Sequence, residues 1–499
     1  MNRSVPVKGL LYIALGLGIM AAPLIDPLWR ARIINKLFIE SGFPLLMVLV
    51  AIIVVIAFAV KKKFAAAIVT IVLAILFLIG FGMWRGYEQS VHYLSTVTVS
   101  DQSMPTLKER APFTVAERQA TSNLGNINGS VGPTDYLANS NHYTTLVNRP
   151  GPGNPGYAAV ISQQIDLTGA ATGTPCTFSE SAGKRMDGWF GNSLTREIAS
   201  KDSMLIAETQ DAWGYCDGDK PKVVIPVTKL SNWLAPVNVP AGVAIYDGST
   251  GNLEIRSEVK TGDLPGPAIG ISQAERVNDS LSVYKGDFWS SLFGQSGMTD
   301  QVKDSNDPNR DNHTNFSLAY AKDSGKEGSV YVSPFTSRAS SRSIDHVTIL
   351  ETGHVKAGEN ATASLIQLSA ARQSNAATAD KIKADFSDLQ GWATGWTVQE
   401  IVPVSDGEWA ASIGLNQNVK YRVLIKTDGS SCLTDATGNK IRCTGDAPNN
   451  NGGGSGTSNT GTGSTAVPSD LGTLNNDQLA QLQDQVTKEV LKRLNEAKK

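Results

Sequence analysis

Few residues in this 499-residue chain have the types and spacing that chemistry requires. Ser181 and Lys184 form a Ser-x-x-Lys pattern with Lys260-Thr261-Gly262 downstream, and a serine beside a lysine base could support acyl transfer. Ser282 and Lys285 satisfy the same spacing, however, and no Ser-x-Asn lies between Ser181 and Lys260. Asp307, Asn309 and Asp311 alternate like the opening ligands of a calcium loop, but Asn312 stands where the turn glycine belongs and Leu318 where the bidentate glutamate belongs. His346 and His354 share a strand face by their spacing, while Glu351 falls on the opposite one. There is no Gly-x-Ser-x-Gly elbow and no Walker-type phosphate loop. The sequence thus predicts no catalytic residue, no metal and no cofactor.

The cysteines carry a clearer signal. Cys176, Cys216, Cys432 and Cys443 all follow the last long apolar run, and an even set confined to one side reads as two disulfides formed in an oxidising compartment. Cys432 and Cys443 flank the turn sequence 435–439, so a bridge across the base of a hairpin is expected, leaving Cys176 for Cys216. Zinc is a poor alternative, because no Cys-x-x-Cys pair exists and no histidine stands near a cysteine.

What holds these residues in place begins with two apolar runs, 43–60 and 64–84, separated by Lys61, Lys62 and Lys63. A helix needs roughly 20 apolar residues to cross ~30 Å of hydrocarbon, and neither run contains a charge. Three adjacent ammonium groups belong in water, so the lysines predict a turn at a membrane surface. A third apolar segment, 9–25, reads as a further transmembrane helix or as the core of a signal peptide. With Arg3, Lys8 and the lysine turn cytoplasmic, residues 26–42 and everything after 84 fall outside, although Arg30, Arg32 and Lys36 then lie on the outer face.

Residues 1–88 carry nine Lys or Arg against three Asp or Glu, and the whole chain is at −2, so the remainder sums to −8. An acidic exterior disfavours nucleic acid as a partner. The expected fold is a membrane-anchored helical bundle of two or three spans, then an α+β, strand-rich ectodomain. In order, 1–88 is the transmembrane region, 89–156 a polar stalk or irregular segment that can begin by continuing the last membrane helix, and 157–265 and 266–445 two ectodomain halves meeting near a Gly/Pro-rich stretch at 263–267. Residues 446–468 form a Gly/Asn/Ser/Thr linker, and 469–499 a terminal helix. That helix places Leu479, Leu482, Val486, Val490 and Leu494 in one apolar stripe, which needs a partner because so short a helix is marginal alone. These features predict a non-catalytic extracytoplasmic binding or assembly protein, with the bilayer and a protein bound through 469–499, or a second copy, as partners. The alternative is an exported, envelope-acting hydrolase with unidentified carboxylates.

Overall fold

The computed structural model describes residues 26–300, 316–337 and 343–445. The 9–25 segment, the 307–311 loop, the 446–468 linker and the 469–499 helix with its stripe lie outside the described residues.

The two apolar runs form helices Gly42–Val60 and Phe64–Leu94, packed against each other and each long and apolar enough to cross a membrane. Their side chains are largely uncovered by the protein, with Ile53, Phe64, Ile68 and Leu73 all exposed. Lys61, Lys62 and Lys63 make the turn and are themselves exposed. Lys62 takes the left-handed conformation at φ 56°, and the Lys62 and Lys63 N–H groups donate to the carbonyls of Ala59 and Phe58 at 2.9 Å, which closes the first helix. The second helix continues past Trp84 to Leu94, where its residues become polar and bond to the body. Residues 26–42 are helical too. Asp26 caps Pro27–Arg32 by accepting from the Leu28 N–H at 2.9 Å, and Ile33–Glu40 continues in wider π-helical turns.

Beyond the helices the chain builds four larger sheets and a two-strand ladder among the described residues. One runs through Leu253–Arg256, Val237–Asp247, Lys220–Ser231 and Leu205–Ala207, with Trp213–Asp217 also on Lys220–Ser231. A second contains Ser130–Leu137, His142–Asn148 and Tyr157–Ile165. A third has Ala363–Arg372, Ile344–Glu351 and Ser329–Ser337 at its centre, and the fourth is an antiparallel meander from Thr397–Ser405 to Lys440–Cys443. Alternation along the strands explains how they stack. Val223 and Ile225 enter one apolar core with Val160, whereas Val224 enters another with Leu350 and Ala363. Val330 and Val332 then face a third core with Trp409 and Ile413 of the meander, while Tyr331 faces back. Strands buried on both faces have no polar side, so runs such as Val223-Val224-Ile225 are continuously apolar.

Two expectations are corrected. Residues 89–156 are neither a stalk nor irregular: Val97–Ser100 pairs in parallel with Ala363–Arg372, Phe113–Ser122 is a helix, and Ser130–Leu137 is the edge strand of a sheet in which His142–Asn148 lies between it and Tyr157–Ile165. Phe113, Val115, Tyr136, Tyr143 and Val147 enter apolar cores, and buried polar contacts that hydrophobic patterning does not register join them. Thr134 and Thr145 bond hydroxyl to hydroxyl at 2.7 Å, and the Arg110 guanidinium meets both Glu400 oxygens at 2.8 and 2.9 Å. Nor do the two halves separate near 263–267, since one core contains both Val243 and Leu350, and Glu258–Val259 pairs with Val355–Lys356. The Gly/Pro stretch is instead a close-packed crossing over Trp213, whose indole N–H donates to the Pro267 carbonyl at 3.0 Å. A Cβ at Gly266 would run into the Leu137 and Trp213 side chains, so the glycine marks contact rather than a linker.

Candidate functional site

Two regions concentrate groups with functional potential. The first is the joint between the apolar helices and the body. The Trp233 indole N–H donates to the Phe38 carbonyl at 3.0 Å and its ring stands edge-on to Phe43 at 5.6 Å. Tyr93 accepts from the Asn238 N–H at 2.7 Å, and the Tyr87 ring packs edge-on to Phe288 at 5.5 Å. Residues 26–42 join the same end: Asp26 pairs with Arg196 at 2.8 Å, and the Asn35 amide donates to the Ser203 carbonyl at 3.1 Å. The start of the first helix and the end of the second, which lie together opposite the lysine turn, are therefore both joined to the body by side-chain contacts.

The second is an acidic cleft. Asp135, on Ser130–Leu137, lines a cavity of about 250 Å³ with Asp211, Glu275, Trp213 and Tyr331. A neighbouring cavity of about 630 Å³ shares Asp135 and adds Asp187 and Glu208. Helix Ile271–Ser280 begins after Gly270, which has no side chain to cap it, so Asp211 supplies the cap from outside. Its carboxylate accepts from the Ser272 N–H at 2.9 Å and from the Ser272 hydroxyl at 2.6 Å. Burial pushes Asp211 up to about 6 against the pull of those bonds. Asp135 is pushed up to about 8, by burial first and then by repulsion from Asp211. Tyr331 is 7 % exposed, and burial, with the nearby carboxylates, raises its hydroxyl well above its usual value.

A carboxyl that keeps its proton near neutrality can donate it, as a general acid does. The second half of an acid–base pair is not free, because Asp211 is committed to holding the start of a helix. Sequence patterning offered no route to this cleft: its members come from separate strands and a distant helix, and no short spacing joins them. The uncapped glycine start at Gly270 is the one local signal that another residue had to reach in.

The residues singled out from sequence fall elsewhere. Cys176 bonds to Cys216 with sulfurs 2.07 Å apart, and Cys432 to Cys443 at 2.03 Å across the paired strands Ser431–Asp435 and Lys440–Cys443. Lys61, Lys62 and Lys63 lie at the far end of the helix pair from the body. The Ser181 hydroxyl shares a hydrogen bond with Ser179 at 2.6 Å, whereas the Lys184 ammonium goes to Glu197 at 3.0 Å, so no nucleophile–base contact forms. His346 bonds to Asp345 at 2.8 Å and Glu351 accepts from the Tyr320 hydroxyl, while His354 is exposed. No metal-competent group of His, Cys, Asp and Glu occurs among the described residues. Comparison with protein-family models, with curated proteins and with solved structures finds no match to this chain.

Proposed function

We propose that the chain is a membrane-anchored extracytoplasmic binding or assembly protein without catalytic activity. Helices Gly42–Val60 and Phe64–Leu94 cross the bilayer, the lysine turn faces the cytoplasm, and the disulfide-bonded body stands outside with the tethered 469–499 helix. The observation that carries this reading is the exposed apolar surface of both helices, directly continuous with a folded body that buries most of its apolar residues in cores of its own. Leaving such surface in water would cost roughly 25 cal/mol per Å², whereas hydrocarbon accepts it. Disulfides in the body fit an oxidising compartment on that side.

The raised carboxyl of Asp135 favours a second reading, an exported hydrolase acting on envelope material. It is the weaker reading because the neighbouring Asp211 is engaged as a helix cap. Deleting 469–499 from the full chain separates the parts of the main proposal: co-purification of a partner should be lost while membrane insertion persists. Unchanged co-purification would remove the tethered helix from the account, and envelope hydrolysis that Asp135→Asn abolishes would replace the non-catalytic reading.

A further inference from the structure

Several of the body's exposed apolar side chains lie where the apolar helices enter it. Trp233 is 47 % exposed and Leu234 42 %, in the turn between Lys220–Ser231 and Val237–Asp247. On the short helix Phe288–Leu292 and the residue after it, Trp289 is 63 % exposed and Phe293 68 %, with their rings stacked at 6.4 Å. Phe38, before the first apolar helix, is equally open. These groups belong to segments far apart in sequence, and aromatic contacts link Trp233 and the Trp289–Phe293 pair to the helix pair. Trp233 meets Phe43, Phe43 meets Phe81 at 4.8 Å, and Phe81 meets Trp84 at 5.5 Å. On the other branch Tyr87 meets Phe288, and Phe288 meets Trp289 at 5.1 Å.

Height along the helix gives these contacts meaning. From Lys63 to Trp84 an α-helix rises roughly 32 Å, the thickness of a hydrocarbon core, with charged lysines at one end. Phe81 to Tyr87 spans only about 9 Å more or less around that second boundary. The two aromatic branches therefore leave the second helix near that boundary, the depth at which indole and phenol rings are favoured because one edge is apolar and the other wet. Trp233 is arranged for that position: its N–H is already bonded to Phe38, and its ring is left partly uncovered.

We infer that the body rests on the outer leaflet through a collar formed by Phe38, Trp233, Leu234, Trp289 and Phe293, which insert at the lipid headgroup boundary around the two spans. This rests on the reading that the helices cross the bilayer. The collar holds the body at a fixed tilt and height above the membrane, so that the helices are not a flexible tether. Its occupant is the interfacial zone of a phospholipid bilayer, because the exposed rings are continuous with the apolar surface of the helices.

The test is depth-dependent quenching of tryptophan in the full chain, reconstituted into phosphatidylcholine vesicles carrying a doxyl quencher at acyl position 5 or 12. Trp84→Phe, Trp233→Phe, Trp289→Phe and Trp409→Phe each remove one emitter, and the quenched emission lost identifies its depth. The expected result is that Trp84, Trp233 and Trp289 are each quenched more by the position-5 label than by the position-12 label, and that Trp409, buried in the body, is quenched by neither. Quenching of Trp84 with none at Trp233 and Trp289 would overturn the collar while leaving the membrane reading intact. Absence of quenching at Trp84 would overturn the membrane reading and the collar with it.

Discussion

Glu400→Gln tests whether the segment around Arg110 is integral to the body. The Arg110 guanidinium and Glu400 carboxylate are 1 % and 3 % exposed and meet through two parallel hydrogen bonds at 2.8 and 2.9 Å. Arg110 also donates to the Ser317 carbonyl at 2.9 Å, and its guanidinium lies 4.3 Å over the Phe113 ring. Burial alone would lower the Arg110 pKa, and Glu400 reverses this and leaves it raised. With Glu400 neutralised that support is gone, but a guanidinium is so strong a base that it keeps its proton, so the cation is stranded. An uncompensated buried charge costs about 3–5 kcal/mol, equivalent to roughly a 10²- to 10⁴-fold drop in the folded-to-unfolded ratio. Pulse proteolysis across a urea series, with the full chain in micelles, should show that loss for the body. Arg110→Met combined with Glu400→Leu should recover most of it, because two apolar groups of similar size leave no stranded charge. The reasoning fails if Glu400→Gln costs under about 1 kcal/mol, or if the double variant loses as much as the sum of its parts.

The acidic cleft makes stability depend on pH. The native state keeps the Asp135 proton up to about pH 8, while the unfolded chain releases it near the ordinary carboxyl value of about 3.9. Stability from this group is therefore complete below the unfolded value and is lost as pH rises through the folded one, with a slope of at most about 1.4 kcal/mol per pH unit. Urea midpoints measured between pH 5 and pH 9 should decline less steeply in Asp135→Asn, and identical slopes would contradict the assignment. At Gly270 an added Cβ would collide with the Asp211 carboxyl, so Gly270→Ala should displace the cap and destabilise by about 1–2 kcal/mol in the same assay. A neutral effect there would mean that Ser272 does not depend on Asp211.

Where local chemistry decides structure, the sequence was readable. Asp247-Gly248 and Thr250-Gly251-Asn252 place a turn that pairs Val243 with Arg256 and Tyr246 with Leu253. The uninterrupted apolar runs and the lysines between them likewise mark two helices and a turn without outside help. Long-range polar pairing was not readable. Arg110 lies 290 positions from Glu400, and neither residue signals burial by its type. In 89–156 the buried apolar residues are scattered among Thr, Asn and Gly, and part of the burial belongs to Thr134, Thr144, Thr145 and Arg110, whose types do not announce it. Asp135, Asp211 and Tyr331 meet only because strands Ser130–Leu137 and Ser329–Ser337, from different sheets, converge with the helical turn Thr209–Asp211, a relation no spacing within one segment carries.

Insertion of the two apolar helices with the lysine turn inside and the body outside is open to direct test. Single cysteines introduced as Lys62→Cys and, on the body, as Ser249→Cys can be probed with a membrane-impermeant maleimide, before and after lysis. The account predicts that Ser249→Cys is labelled on intact cells and Lys62→Cys only after lysis. Labelling of Lys62→Cys on intact cells, with Ser249→Cys protected, would contradict it.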